Sequence, residues 1–375
     1  MRNRLPWLDL MRGSAALLVV LEHLRAFLFP AYSSLVCPGI FLKAFYFLTG
    51  LGHQAVMAFF VLSGFLVGGS VFRSRDTGTW SWGGYLLRRL SRLWTVLLPA
   101  LLLTAFWDQW GSFQHPEGYA GIFRAIYHSG PVPGGVLSDT VPVFLGNMFF
   151  LQTIFVPCFG TNSPLWSLAN EFWYYLIFPL LLSAISPGRL MVRIPAVLIV
   201  SAILWILPWD FSQGLVIWIL GALTFRFATS VGMSRMGGLL PLILSLLLAF
   251  VVLLWSRRAL VPAWGDLIVG CSLLPLTATL ALRVTRGRWF HGLTGAMSEI
   301  SYTLYLVHFP FLALIFFTGF QGRQIVPNLH GDLLFACLLL LVLAYSTIIW
   351  WCFERNTDRI RRWVTGLSPY SQEDR

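Results

Sequence analysis

Charge is scarce in this 375-residue chain: 11% of its residues are Asp, Glu, Lys or Arg, against about 25% in an ordinary soluble domain. So little charge beside 57% hydrophobic residues excludes a soluble globular protein and leaves an integral membrane protein with the lipid bilayer as its first partner. Lysine is all but missing. Lys43 stands alone beside 25 arginines, and the net charge is +11. That excess does not require nucleic acid, because the arginines lie in short loops between apolar spans, where a cytoplasmic-side surplus explains them. Cysteine is sparse as well. Cys37, Cys158, Cys271, Cys337 and Cys352 show no CxxC or Cys/His ligand spacing, so no metal site is expected. Cys37 and Cys158 fall on the same expected outer side, where a pairing is open. Also missing are an internal repeat, the paired broken helices of inverted-repeat transporters and an appended soluble domain. Nor is there a cleavable signal peptide, since the first span holds Asp9, Arg12, Glu22 and His23 without a clean apolar core. It reads as a retained signal anchor.

What is present is a succession of apolar windows bounded by Arg-rich or Pro/Gly-rich turns. The expected fold class is all-α, a polytopic membrane protein of about ten helices, near 7–29, 52–72, 89–109, 164–185, 194–209, 211–228, 239–255, 264–282, 299–319 and 332–353. Seventeen Trp residues suit the aromatic belts at both bilayer surfaces. The apolar segment 141–156 is short, and counting it as a span would invert every later loop. Treated as re-entrant or interfacial, it leaves nineteen cations on the cytoplasmic side. The outer side has five, Lys43, Arg124, Arg257, Arg258 and Arg323, while Arg12 and Arg25 lie inside the first span. Both termini are then cytoplasmic, in the inner membrane. A single transmembrane domain over 1–363 and a cytoplasmic tail over 364–375 are expected, and the polar stretch 111–140 is extracytoplasmic.

Ionisable residues inside such spans are rare and usually functional. Arg12 and His23, eleven residues apart, share one helix face to within about 20° and lie roughly 16 Å apart along the axis. Asp9, one turn before Arg12, can pair with it. His23 sits about 24 Å into a core about 30 Å thick, and an imidazole is the natural group to take a proton from a hydroxyl at neutral pH. Ser63 and Gly64 fall mid-span in FFVLSGF, where small residues let a helix or a ligand approach closely. Arg88, Arg89 and Arg92 cluster on one side of a helix start, suited to phosphate oxygens or to topology. Ser163 and Pro164 read as a helix start, and Ser167 and Glu171 share a face beyond it, with Arg25 or His23 as candidate partners of the carboxylate. Ser298 reads as a helix cap with Glu299 in the first turn. Ser301, Tyr305 and His308 then form one stripe.

In order and spacing, these segments resemble the acyltransferase 3 family, membrane O-acyltransferases of bacterial surface glycans and some secreted small molecules. The resemblance covers nearly the whole chain: Arg12 with ten residues before His23, FFVLSGF at 59–65, RRLSR with Arg89 and Arg92, SLANEFWYYLIFP at 167–179, SYTLYLVH at 301–308 and FER at 353–355. It implies a ten-helix body, an acyl-CoA donor entering from the cytoplasm and an acceptor hydroxyl reached from the other side. By position, Arg12 and His23 match the catalytic Arg/His motif, Arg89 and Arg92 the cytoplasmic basic pair, and Glu171 the membrane carboxylate. Thr95, Asn170 with Phe172, and Asn356 depart from the usual pattern.

The resulting expectation is transfer of an acyl group, acetyl first, from acyl-CoA to a carbohydrate hydroxyl of a surface or exopolysaccharide. Arg88, Arg89 and Arg92 hold the donor phosphates. His23 is the general base, with Arg12 and Glu171 assisting and Asp9, Ser63, Ser167, Tyr305 and His308 supporting. No tightly bound cofactor is expected beyond acetyl-CoA as co-substrate. A covalent acyl-enzyme on Ser63 or His23, a macrolide-like glycoside acceptor, and a transporter or flippase of glycan precursors are the alternatives. Oligomeric state is open.

Overall fold

The computed structural model describes residues 5–127, 130–134, 137–186, 190–230, 237–258, 264–283, 285 and 287–365. The expected tail beyond 365 and the topological arginines Arg2, Arg4, Arg189, Arg235, Arg286 and Arg375 lie outside them. Among the described residues the protein is all-helical, and the one extended feature is an isolated bridge between Gln152 and Val156.

Ten long helices fall at the ten expected windows: α1 Pro6–Leu28, α2 Gly52–Asp76, α3 Trp82–Gln114, α4 Leu165–Ile185, α5 Leu190–Ile206, α6 Trp209–Ser230, α7 Leu239–Ser256, α8 Gly265–Ala281, α9 Arg288–Phe320 and α10 Leu329–Cys352. Among the described residues, seven helices are long and apolar enough to cross a membrane: α2, α3, α4, α6, α7, α9 and α10, with α6 counted from Phe211 and α10 running on to Trp363. α1 carries four charges, and α5 and α8 have 17 residues each. Segment 141–156 contains the helix Val141–Met148, 8 residues long and so about 12 Å, too short to cross. A tight loop follows, with Phe150 and Thr153 at positive φ.

Two helix limits differ from expectation for physical reasons. α9 begins at Arg288 after Gly287, because no proline lies between there and Glu299 and the helix runs through Gly292 and Gly295. Ser298 is therefore an interior residue of α9 and not its cap. α4 starts at Leu165, with Pro164 in helical conformation before it.

Burial separates the centre from the periphery. In their most apolar windows, 78% of α2 and 72% of α9 is buried, against 11% of α7 and 22% of α10, so the latter two present their apolar sides outward. α1 is wrapped by α9 and α2, which allows four charged residues on one helix to lie within the protein body. α2 is held to α6 by a close crossing. Its turn Gly64–Gly68 is π-helical, a widening common at functional sites. A Cβ at Gly64 would overlap the Trp218 carbonyl, and one at Gly221 would overlap the Val61 carbonyl, so each glycine admits the other backbone.

The stretch after α3 is a packed cover. Single helical turns Pro116–Tyr119 and Arg124–Tyr127, with Phe123 between them, bring Tyr119, Phe123 and Tyr127 onto Phe317. Tyr127 also meets Phe27 of α1, donates to the Phe316 carbonyl at 3.3 Å and accepts from the Gly322 amide at 3.0 Å. Burial pushes its hydroxyl up to about 12. Cys37 and Cys158 are both free thiols, which closes the pairing left open above.

Candidate active site

Antiparallel alternation brings the start of α1, α3 and α9 and the end of α2, α4 and α10 to one face of the bundle. Arg88, Arg89 and Arg92, near the start of α3, lie there. Arg88 is exposed and within electrostatic reach of Arg361, which lies on a short helix after α10, α11 Thr357–Thr365. Arg89 lies over the Tyr85 ring at 5.8 Å, and its Nε is buried without a protein partner. Arg92 is exposed, yet reaches Arg12 electrostatically. Of the three arginines, Arg92 is thus the one that reaches α1 electrostatically.

The Arg12 level follows. Arg12 Nη1 donates to Ser298 Oγ at 3.2 Å, and Ser298 Oγ donates to Asp9 Oδ1 at 2.9 Å. The hydroxyl of α9 thus links the cation to the carboxylate expected to pair with it, and Ser298 is recruited from a position the sequence suggested for a cap. Arg12 also feels Glu171 and Tyr175. Glu354, in the FER motif, accepts from Thr303 at both the amide, 3.2 Å, and Oγ1, 2.5 Å, and faces Arg92 and Arg12.

At the next level Ser63 Oγ donates to Glu171 Oε1 at 2.7 Å, while Trp218 Nε1 donates to Ser63 Oγ at 3.0 Å. Tyr175 donates a very short hydrogen bond to the same carboxylate oxygen. Glu171 is therefore held by Ser63 and Tyr175. The partners considered for it in the sequence, His23 and Arg25, are engaged elsewhere. Tyr175 was legible in principle, since Ser167, Glu171 and Tyr175 repeat at four-residue spacing on one face. Trp218 comes from α6 with no signal in its own segment. Glu354 belonged to a noted motif without an assigned role.

Farther along α1, His23 Nδ1 lies 2.9 Å from His308 Nε2, and His308 Nδ1 lies 2.9 Å from the Leu304 carbonyl. His308 is fully buried, while His23 keeps some accessible surface. Phe309 meets His23 edge-on at 4.9 Å. Phe27, one turn on, stacks with Phe316 on the side away from the arginines. Tyr305, from the same stripe as His308, shares a 2.7 Å hydrogen bond with Ser167 Oγ and donates to the Pro164 carbonyl at 3.2 Å. Ser301 Oγ donates within its own helix, to Ser298 O. The expected site residues thus sit at separate levels, on α1, on α2 and α9 packed against it, and on α3 and α4.

A last polar group lies at the face opposite the arginines, where α1 ends and α2, α4 and α8 begin. His53 Nε2 is 2.9 Å from each Asp266 carboxylate oxygen, and Glu22 Oε2 accepts from the His53 amide at 3.0 Å. Trp166 stacks on the His53 ring at 6.2 Å. About half of the His53 side chain is open to solvent.

The family model of the acyltransferase domain matches residues 5–355. The chain is also similar to acyltransferase MdmB of Streptomyces mycarofaciens, with 32% identity over 178 residues, 47% of this chain and 39% of that protein. The aligned part therefore spans well under half of that relative. No solved structure matches the chain.

Proposed function

This chain belongs to the acyltransferase-domain family, and from that premise we propose that it moves an acyl group, acetyl first, from cytoplasmic acyl-CoA to a hydroxyl of a carbohydrate acceptor on the other side of the membrane. The observation that carries this reading is the line of polar groups along α1. It runs from the basic face past Arg12 and the Glu171 cluster to His23. A buried series of charges of this kind is expensive in a bilayer and marks a substrate path.

In this reading all ten long helices cross the inner membrane, and the even number puts both termini on the cytoplasmic side with the arginines. Arg88, Arg89 and Arg92 hold the phosphates of the donor, since planar guanidinium groups match phosphate oxygens. The pantetheine arm runs beside α1. From Arg12 to His23 it follows about 16 Å of helix, bringing the thioester to the imidazole. His23 takes the proton of the acceptor hydroxyl as its oxygen attacks the thioester carbon, and the thiolate leaves. Arg12, within reach of Glu171 and anchored through Ser298, steadies negative charge on the donor side.

Two details favour direct transfer over an acylated serine. The Ser63 hydroxyl is engaged both as donor, to Glu171, and as acceptor, from Trp218. It also belongs to a different level from His23. The aromatic cover over Phe27 directs the acceptor to the side of α1, where Glu22, His53, Asp266 and Trp166 stand. Carboxylates that accept from hydroxyl pairs and an indole face suit a sugar.

The test is release of free CoA thiol from acetyl-CoA by purified wild type and His23→Ala, each with and without candidate glycan acceptors. Acceptor-stimulated release that His23→Ala lowers by about 100-fold or more, with acetyl-CoA binding retained, is the expected result. Uptake of a glycan precursor into proteoliposomes with no CoA release under any acceptor overturns it in favour of transport.

A further inference from the structure

We infer that His308 is a positioning residue that fixes the proton of His23 on Nδ1 and so presents the unprotonated Nε2 of His23 to the acceptor hydroxyl. This deepens the acyl-transfer reading and rests on it. The Leu304 carbonyl has an unambiguous role in this chain of contacts. A carbonyl oxygen only accepts, so the 2.9 Å contact between His308 Nδ1 and Leu304 O puts a proton on His308 Nδ1. A neutral imidazole carries one such proton, which leaves His308 Nε2 as an acceptor. His23 Nδ1, 2.9 Å away, must then be the donor. The lone pair of His23 is left on Nε2, for which no protein partner occurs among the described residues.

Neutrality of His308 is required, since a doubly protonated His308 would donate to His23 Nδ1 and place the His23 proton on Nε2. The surroundings favour the neutral ring. His308 is fully buried among Tyr305 and Phe309, no carboxylate among the described residues hydrogen-bonds either imidazole, and the charged group acting on His23 is the cation Arg25. A buried imidazolium in that place would have no counter-charge. An imidazole free of such a partner prefers its proton on the nitrogen remote from the backbone, Nε2, which is the wrong tautomer for a base at that atom. Leu304 and His308 are four residues apart on α9, so the orienting carbonyl comes from the helix itself and holds the ring in place as helix geometry does.

The proton balance closes. The acceptor O–H gives its proton to His23 Nε2 while its oxygen forms the new bond to the thioester carbon and the C–S bond breaks. The same proton then passes from Nε2 to the thiolate sulfur, yielding the ester and CoA thiol with both rings neutral again. In between, His23 is an imidazolium whose Nδ1–H donates to His308 Nε2, a charge-assisted bond stronger than the resting one.

The experiment compares His308→Gln and His308→Leu with wild type and His23→Ala. Glutamine can reproduce both bonds, its carbonyl accepting from His23 and its amide donating to Leu304; leucine can make neither. The expected result is a kcat for acceptor acetylation lowered about 100-fold in His308→Leu, with the KM for acetyl-CoA within about twofold, and restored to within about tenfold of wild type in His308→Gln. In parallel, nitrogen NMR of histidine-labelled wild type, with His23 identified by difference from His23→Ala, should show a protonated Nδ1 and a bare Nε2. His308→Leu should move that proton to Nε2. A wild-type spectrum with His23 protonated on Nε2 overturns the inference whatever the variants do, as does glutamine no better than leucine in proteins that still bind acetyl-CoA. Wild-type turnover in His23→Ala overturns the base assignment itself, and it is read from a separate protein.

Discussion

Ser63 on α2 donates its hydroxyl proton to Glu171 on α4 at 2.7 Å, so the one acid in the middle of α4 is held by a serine and not by a histidine. Tyr175 adds a second donor to the same oxygen, and Arg12 lies within electrostatic reach. Two carboxylates thus offset the Arg12 charge, Asp9 through Ser298 and Glu171 at longer range.

Glu171→Ala should therefore lower stability by about 1–3 kcal/mol, the cost of leaving the Ser63 and Tyr175 hydroxyl donors without their acceptor, and Glu171→Gln by less, because the amide oxygen still accepts from both. Both variants should lose acetyl transfer by about tenfold or more. Thermal midpoints in detergent and CoA release are the measurements. Full activity in Glu171→Gln would show that the charge is dispensable to the reaction.

The basic cluster makes a separate prediction about the donor. In wild type, removing the 3′-phosphate of acetyl-CoA should raise KM, and Arg89→Gln with Arg92→Gln should raise KM for the intact donor by about tenfold or more, the worth of one or two charge-assisted hydrogen bonds. In the double variant the penalty for the missing phosphate should shrink. An undiminished penalty would mean that the phosphate is bound elsewhere.

Packing of α2 on α6 is tested at Gly64. Gly64→Ala drives a methyl into the Trp218 carbonyl, and overpacking of this kind costs about 1–3 kcal/mol. Because Trp218 also donates to Ser63, the displaced helix should loosen the Glu171 cluster, so that activity falls together with the thermal midpoint. An unchanged midpoint would show that the crossing has slack.

The native cysteines report topology. Cys37 and Cys352 are exposed and lie at opposite ends of the bundle, whereas burial pushes the Cys158 thiol up to about 12. A membrane-impermeant maleimide applied to intact cells at neutral pH should label Cys37 and spare Cys352, with the pattern reversed in inverted vesicles. Cys158 should react only as the pH rises toward that value, because the thiolate is the reactive form. Labelling of Cys352 from outside would reverse the proposed orientation.

The amino-acid sequence by itself determined the class of protein and the run of helices. Low charge, long apolar windows and Arg-rich turns are local properties, and a membrane-length helix satisfies its own backbone hydrogen bonds, so each window needs no partner to be recognised. Spacing along one helix was equally local: Arg12 and His23 on one face of α1, Ser167 and Glu171 on one face of α4, Ser301, Tyr305 and His308 on one stripe of α9. Which helices meet was decided by tertiary structure alone, because partner choice depends on close approach at residues such as Gly64 and Gly221, whose neighbours lie about 150 positions away in the chain. That choice gave Glu171 to Ser63 and Tyr175, gave Arg12 to Ser298 on a helix that begins eleven residues before Glu299, brought Trp218 into the site, and set His308 against His23. Hydrogen bonding acts over about 3 Å, and no pattern in a single strand of sequence carries that distance across two helices.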